Sequence, residues 1–245
     1  MPPPPVLAAK ASARECLGRW ASGKFQRSQF QSRYKQSLQP RMIDCFALLC
    51  EPRRPWLDTE ALKDKFLALS AEVHPDRMHS ASDTDKQAAH QRYIELNSAY
   101  NRLRDPKERL LHLLELELGS KPNQVQAIPS ELMEMFAQLS QAFRNTDAFL
   151  AEKSQIKSPL LQVHLFERSQ EVSEKLTALQ QEINSGRDKL DAGLKALDEA
   201  WISGSASGQS RDPMLLRKVE ELYRLYGYFG RWGGQIQERI VQLSF

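Results

Sequence analysis

"LDTEALKDKFLALSAEVHPDR", residues 57–77, carries both an apolar stripe and the signal that ends it. Leu62, Phe66, Leu69 and Val73 recur at spacings of four, three and four, which places them on one face of an α-helix. Asp58 is placed to cap the helix, and Glu60 lies in its first turn beside the positive end of the helix dipole. His74 stands directly before Pro75, whose ring drives the preceding residue out of the α region, so the helix ends there. A polar knuckle, His74-Pro75-Asp76, follows, and its residue types fit a catalytic pair, half a metal site or a rigid contact point.

Working outward, a polar stretch at 77–86 leads into Ala89, Tyr93, Leu96, Tyr100 and Leu103, again spaced four, three, four and three. Two amphipathic helices joined by a polar loop predict an antiparallel hairpin with His-Pro-Asp at its tip. Before them, "RMIDCFALL" predicts a short helix ending by Pro52. After them, Pro106 opens a further helix that Gly119 ends.

The polar segment at 119–129 reads as a linker. Three helices are expected beyond it. One starts at Pro129, one runs from a Ser158 cap with Pro159 to about Trp201, and one runs from an Asp212 cap with Pro213 to the C-terminus. The middle one carries a near-heptad seam, Leu161, Leu165, Val172, Leu176, Leu179, Ile183, Leu190, Leu194, Leu197 and Trp201. The fold class is therefore all-α: a helical hairpin domain at 42–119 and an elongated three-helix bundle at 124–245, with a Ser/Gly loop at 203–210 as the last turn.

At 245 residues the chain can form two modest domains, each with its own core. No apolar run reaches the roughly 18–20 residues that span a bilayer. Cys16, Cys45 and Cys50 form no Cys-x-x-Cys pair, which argues against a disulfide framework and against structural zinc. The net charge of +3 is uneven: residues 1–42 hold eight Lys/Arg against Glu15, +7, leaving −4 for the remainder. Residues 1–41 have the composition of a flexible basic tail. The same composition resembles a mitochondrial transit peptide, although the four prolines after Met1 are a poor start for a presequence helix. As a nucleic-acid arm the tail lacks a stacking platform, because Trp20, Phe25, Phe30 and Tyr34 form no such motif.

His74 and Asp76, adjacent on a loop, supply neither the cleft nor the nucleophile that catalysis needs, so a non-enzymatic protein is expected. His79, His90, His112 and His164 show no His-x-x-x-His spacing beside an acid. They read as solvated or packed, with no metal and no cofactor expected.

Residues 43–118 resemble a J-domain, the module through which DnaJ-type co-chaperones stimulate the ATPase of DnaK-type chaperones. The resemblance rests on "DCFALL", "LDTEALKDKFLALSAEVHPDR" and "LNSAYNRLRDPKERLLHLL". It implies that His74, Pro75 and Asp76 contact the chaperone, the Asp engaging an arginine of its ATPase domain. J-domains also present a basic face on the second helix. Here Leu67, Ala68 and Glu72 stand where that face is often basic, so the attraction is expected to be weaker, or Lys63 and Arg77 to carry more of it.

Neither the Gly/Phe-rich linker nor the zinc repeats of a general DnaJ follow. "LDTEALKDKF", "LRDPKERLLHLLEL" and "ELMEMF" instead resemble the HscB-type co-chaperones of iron-sulfur cluster assembly. That resemblance implies two partners, a DnaK/HscA-type chaperone and an IscU-type cluster scaffold protein, with no nucleic acid and no membrane. It implies a scaffold contact through Leu132, Met133 and Phe136 with an aromatic on the last helix, Tyr228 or Phe229. The acids that accompany this patch in the family are replaced by Ala137, Ser140 and Arg144. The chain is expected to be a monomer or weak dimer. Its expected location is cytoplasmic, or the mitochondrial matrix if the tail is a transit peptide. The alternative function is a J-domain protein with other clients.

Overall fold

The computed structural model describes residues 43–74, 77, 82–122, 128–156, 159–205 and 212–244. The basic tail, Pro75, Asp76, His79 and the Ser158 cap lie outside the described residues, as do positions 206–210 of the Ser/Gly loop and the side chains of Leu161 and His164. The described residues are helical and irregular, without a strand among them, and fall into two compact units dividing between Leu116 and Glu117.

The first unit holds α1 (Cys45–Leu48), α2 (Thr59–Glu72), α3 (Asp83–Arg104) and all but the last two residues of α4 (Pro106–Leu118). Each start is fixed by a side-chain oxygen that takes up amide N–H groups left without a partner at a helix N-terminus. Asp44 accepts from the Phe46 and Ala47 amides, Asp58 from Glu60 and Ala61, Ser82 from Asp85, and Asp105 from Glu108. Two boundaries differ from the apolar pattern. Helix α1 stops four residues before Pro52, with Cys50 in the left-handed region at φ 53°. Helix α3 starts at Asp83, inside the stretch read as loop, because Ser82 caps it and Asp83 and Asp85 complement its positive end.

Helices α2 and α3 run antiparallel. Phe66 stacks on Tyr100 at 4.4 Å between ring centroids, and eight residues on, His74 meets Tyr93 at 6.1 Å. Leu62, Ala89, Leu96, Ala99 and Leu103 are buried in this seam.

In the second unit a short 3-10 turn, Ser130–Leu132, leads into α5 (Met133–Gln155). Helices α6 (Pro159–Ser205) and α7 (Pro213–Leu243) complete a three-helix bundle. Asp212 caps α7 through the Met214 amide. The 47 residues of α6 extend about 70 Å at 1.5 Å each, past Trp201. Its buried residues Leu176, Ile183, Leu190 and Leu197 recur every seventh position, the interval that keeps one side of a helix against its neighbours. They face Val219, Tyr226, Phe229, Trp232 and Ile236 of α7, with Leu139 and Phe149 of α5 also in the core. At Gly186 of α6 the chains come close enough that an added Cβ would lie 2.4 Å from the Phe229 ring.

Candidate functional site

Helix α2 ends at Val73, whose amide donates to the Ser70 carbonyl at 3.3 Å. The next residue, His74, is half-buried, with its ring set edge-on against Tyr93 at an interplanar angle of 87°. Arg77 turns back towards the helix it follows. Its amide donates to the His74 carbonyl at 3.0 Å and its guanidinium to the Ala71 carbonyl at 3.2 Å. Both flanks of the tripeptide are therefore tied to the hairpin, one by an aromatic contact and one by a cap on the C-terminal carbonyls of α2.

The solvent face of α2 carries Glu60, Lys63, Asp64 and Glu72, one cation against three acids, with Leu67 52% exposed among them. Lys63 lies 3.5 Å from Glu60. Lys65 is engaged elsewhere, paired with Glu51 at 2.7 Å and donating to the Cys50 carbonyl at 3.4 Å. The thin basic approach to the knuckle expected from the residue types is thus also the geometry of the helix.

Behind this surface lies a buried polar group. His112 is fully buried, stacked on Phe46 with its ring 6° from parallel, and its Nε2 accepts from the Cys45 amide at 3.0 Å. Its Nδ1 lies 3.8 Å from Glu115, which is in turn bound by Arg102. Burial pushes the His112 pKa below the ordinary histidine value, and the nearby Arg102 adds to that. Burial likewise pushes the Cys45 thiol up, away from the thiolate form that reacts. Arg109, also buried, donates to the Pro55 carbonyl and to the Leu103 carbonyl at 2.7 Å each. These contacts anchor α1 and the 52–57 loop on the hairpin. They do not form a reactive centre, and no group of three metal-ligating side chains occurs among the described residues.

In the second unit the four residues assigned to a client contact divide. Leu132 and Tyr228 are 7% exposed and belong to the bundle interior, whereas Met133 and Phe136 are 51% and 38% exposed. Trp232, which residue pattern did not single out, links the two sets. Its ring centroid lies 6.4 Å from Phe136, 5.5 Å from Tyr228 and 6.1 Å from Phe229. Its sequence signal is the four-residue step from Tyr228, which places both on one side of α7. Arg231 lies over Tyr228 at 5.0 Å. Among the described residues no helix is long and apolar enough to cross a membrane.

No family model matches the chain. It is 30% identical over 177 residues to the co-chaperone protein HscB homolog of Cupriavidus taiwanensis, covering 72% of this chain and 89% of that protein. The corresponding protein of Bordetella avium is 27% identical over 182 residues, covering 73% and 94%. The crystal structure of human co-chaperone protein HscB matches with a TM-score of 0.52 over 82% of each chain, at 18% identity, a likeness of fold.

Proposed function

Because this chain belongs to the HscB family of co-chaperones, we propose that it stimulates ATP hydrolysis by a DnaK/HscA-type chaperone and delivers an IscU-type iron-sulfur cluster scaffold protein to it. Residues 42–119 act as the J-domain and residues 124–245 as the client-binding domain. The observation that carries the reading is the anchoring of His74 against Tyr93 at the end of α2, with Arg77 folded back on the other side of the knuckle. Groups fixed before contact lose little further freedom on docking, so more of the contact energy appears as affinity. Pro75 adds to this by fixing its own φ. Asp76 then meets an arginine of the chaperone, and Lys63 and Arg77 supply the local positive charge.

The work of hydrolysis stays with the partner. This chain contributes a contact that favours the chaperone's active arrangement, which needs only a differential affinity between two states. The bacterial sources of the relatives support a cytoplasmic location. A second reading, the same J-domain serving other clients, is favoured by Ala137, Ser140 and Arg144 at the positions where the resemblance implies acids.

The test is the chaperone's ATPase rate with the full chain present. The His74→Gln variant is expected to reduce stimulation to the unstimulated rate while leaving the helical circular dichroism unchanged. Undiminished stimulation by that variant overturns the proposal.

A further inference from the structure

On α5 a stripe that begins at exposed Met133 continues through exposed Ala137 and half-buried Ser140 to exposed Arg144, eleven residues on and only about 20° round the helix. Phe136 lies beside this stripe on the side of Trp232. Two guanidinium groups flank the apolar centre, one on each helix. Arg144 donates to the neutral Gln141 at 2.8 Å. Arg231 donates to the Gly227 carbonyl at 3.3 Å and lies over Tyr228. Among the described residues neither is within ion-pair distance of a carboxylate.

The acids nearby are accounted for differently. Asp147, the carboxylate farther along the same stripe, is held by Arg239 through two hydrogen bonds of 3.0 and 2.9 Å, and Arg239 itself lies 4.2 Å over Phe143. Glu134 is about 100° round α5 from Met133, and Glu238 lies two turns along α7 from Arg231 on the same side of that helix. Arg144 and Arg231 are thus cations of this face without a carboxylate partner among the described residues, with one hydrogen bond fixing each guanidinium and further N–H donors on each.

We propose that this surface recognises a partner face with an apolar centre and an acidic rim, and that Arg144 and Arg231 are its charge-selecting residues. The inference rests on the client-contact reading and gives the chemistry of its partner: the cluster scaffold protein presents carboxylates where these two arginines land. A guanidinium suits this role because its planar fork donates two parallel hydrogen bonds to one carboxylate, and partial stacking on Tyr228 pre-orients Arg231. Met133 and Phe136 supply the desolvated centre, as apolar and aromatic groups do in protein interfaces. Rim charges act mainly on the rate of encounter and on its salt dependence.

The experiment is a titration of the full-length chain with the purified cluster scaffold protein of the same organism, read by fluorescence anisotropy at about 0.05 and about 0.5 M salt. Wild-type binding is expected to weaken as salt rises. The double variant Arg144→Glu/Arg231→Glu should raise Kd about tenfold or more at low salt, with the difference shrinking at high salt, whereas Arg144→Lys should stay within about threefold. Phe136→Ser should raise Kd at both salt concentrations. If Phe136→Ser weakens binding while the double charge reversal leaves Kd unchanged or lowers it, the charge inference is overturned and the client surface stands. If Met133→Ser and Phe136→Ser both leave Kd unchanged, the client surface fails and the charge inference falls with it.

Discussion

In the first unit Arg109, His112 and Glu115 are all at most 3% exposed, whereas the interior of the second unit is a run of leucines and aromatics with Thr146 and Asp198 as its polar members. The difference follows from helix length. Helix α1 has four residues and the loop that follows it has no helical ladder, so although Phe46, Leu49 and Leu57 are buried, no repeating apolar face fixes their register. Both are also positioned by buried hydrogen bonds at defined points, the Cys45 amide donating to His112 and Arg109 donating to the Pro55 carbonyl. Helices α6 and α7, with 47 and 31 residues, repeat a weak apolar contact along their length. A core of the first kind depends on particular atoms. One of the second kind spreads its stability over many equivalent side chains and is sensitive mainly to shape.

That contrast breaks first at Arg109. Replacing it by Met keeps much of the buried volume but leaves the Pro55 and Leu103 carbonyls without the donor they share. Each buried acceptor left unpaired costs about 1–3 kcal/mol, so Arg109→Met should destabilise the first unit by about 2–4 kcal/mol. The measurement is the urea midpoint of unfolding, and a loss under about 1 kcal/mol would show that these carbonyls find other partners.

The second unit should respond to shape. In Gly186→Ala the new methyl group would lie 2.4 and 2.7 Å from two atoms of the Phe229 ring, itself 5% exposed and edge-on to Trp232. Overpacking of this kind costs about 1–3 kcal/mol, against a gain of about 1 kcal/mol from replacing glycine within a helix. A net loss of up to about 2 kcal/mol is expected. Gly193→Ala on the same helix, where a Cβ would meet nothing within 4 Å, should instead stabilise by about 1 kcal/mol. Two alanines of the same sign would show that the close approach at Phe229 is not a constraint.

The same contrast explains what could be read from residue order. The hairpin and the long seam were legible because each is a repeat: Leu62 to Val73 and Leu176 to Leu197 announce a buried face by spacing alone. The role of Arg109 was not, since an arginine on an amphipathic helix reads as solvated and its acceptors lie 54 and six residues away. His112 could be read as packed, but its acceptor role depends on an amide 67 positions distant. On the proposed client surface, spacing placed Leu132, Met133 and Phe136 on one helix without saying which side the rest of the bundle would cover. Leu132 went inward and its neighbour Met133 outward, because α6 and α7 close over one edge of the turn before α5. Tyr228 is likewise covered, by Trp232 and Arg231. The position of the knuckle at the end of α2 was legible, while the anchoring of His74 by Tyr93 needed the register of two helices.

The smallest effect at neutral pH, and the one that most sharpens the contrast, belongs to protonation of His112. The groups facing it are Arg102 from α3, Glu115 from α4 and Asp44 at the start of α1, with the Cys45 amide on Nε2. Because burial lowers its pKa in the folded chain, the unfolded chain binds more protons in the range from the ordinary value of 6.5 down to the folded one. Stability therefore falls as pH drops through that range and levels off once both states are protonated. A proton on Nε2 also removes the acceptor of the Cys45 amide, so the loss should appear at α1. His112→Gln, which keeps a side-chain oxygen to accept from that amide but does not titrate, should flatten the fall. Comparing urea midpoints of the two proteins from about pH 7.5 to about pH 5 cancels the carboxylates they share, leaving the histidine as the difference. Equal slopes would mean that the ring takes up its proton without leaving Phe46, and that the polar anchor of α1 is as tolerant as the leucine seam of α6.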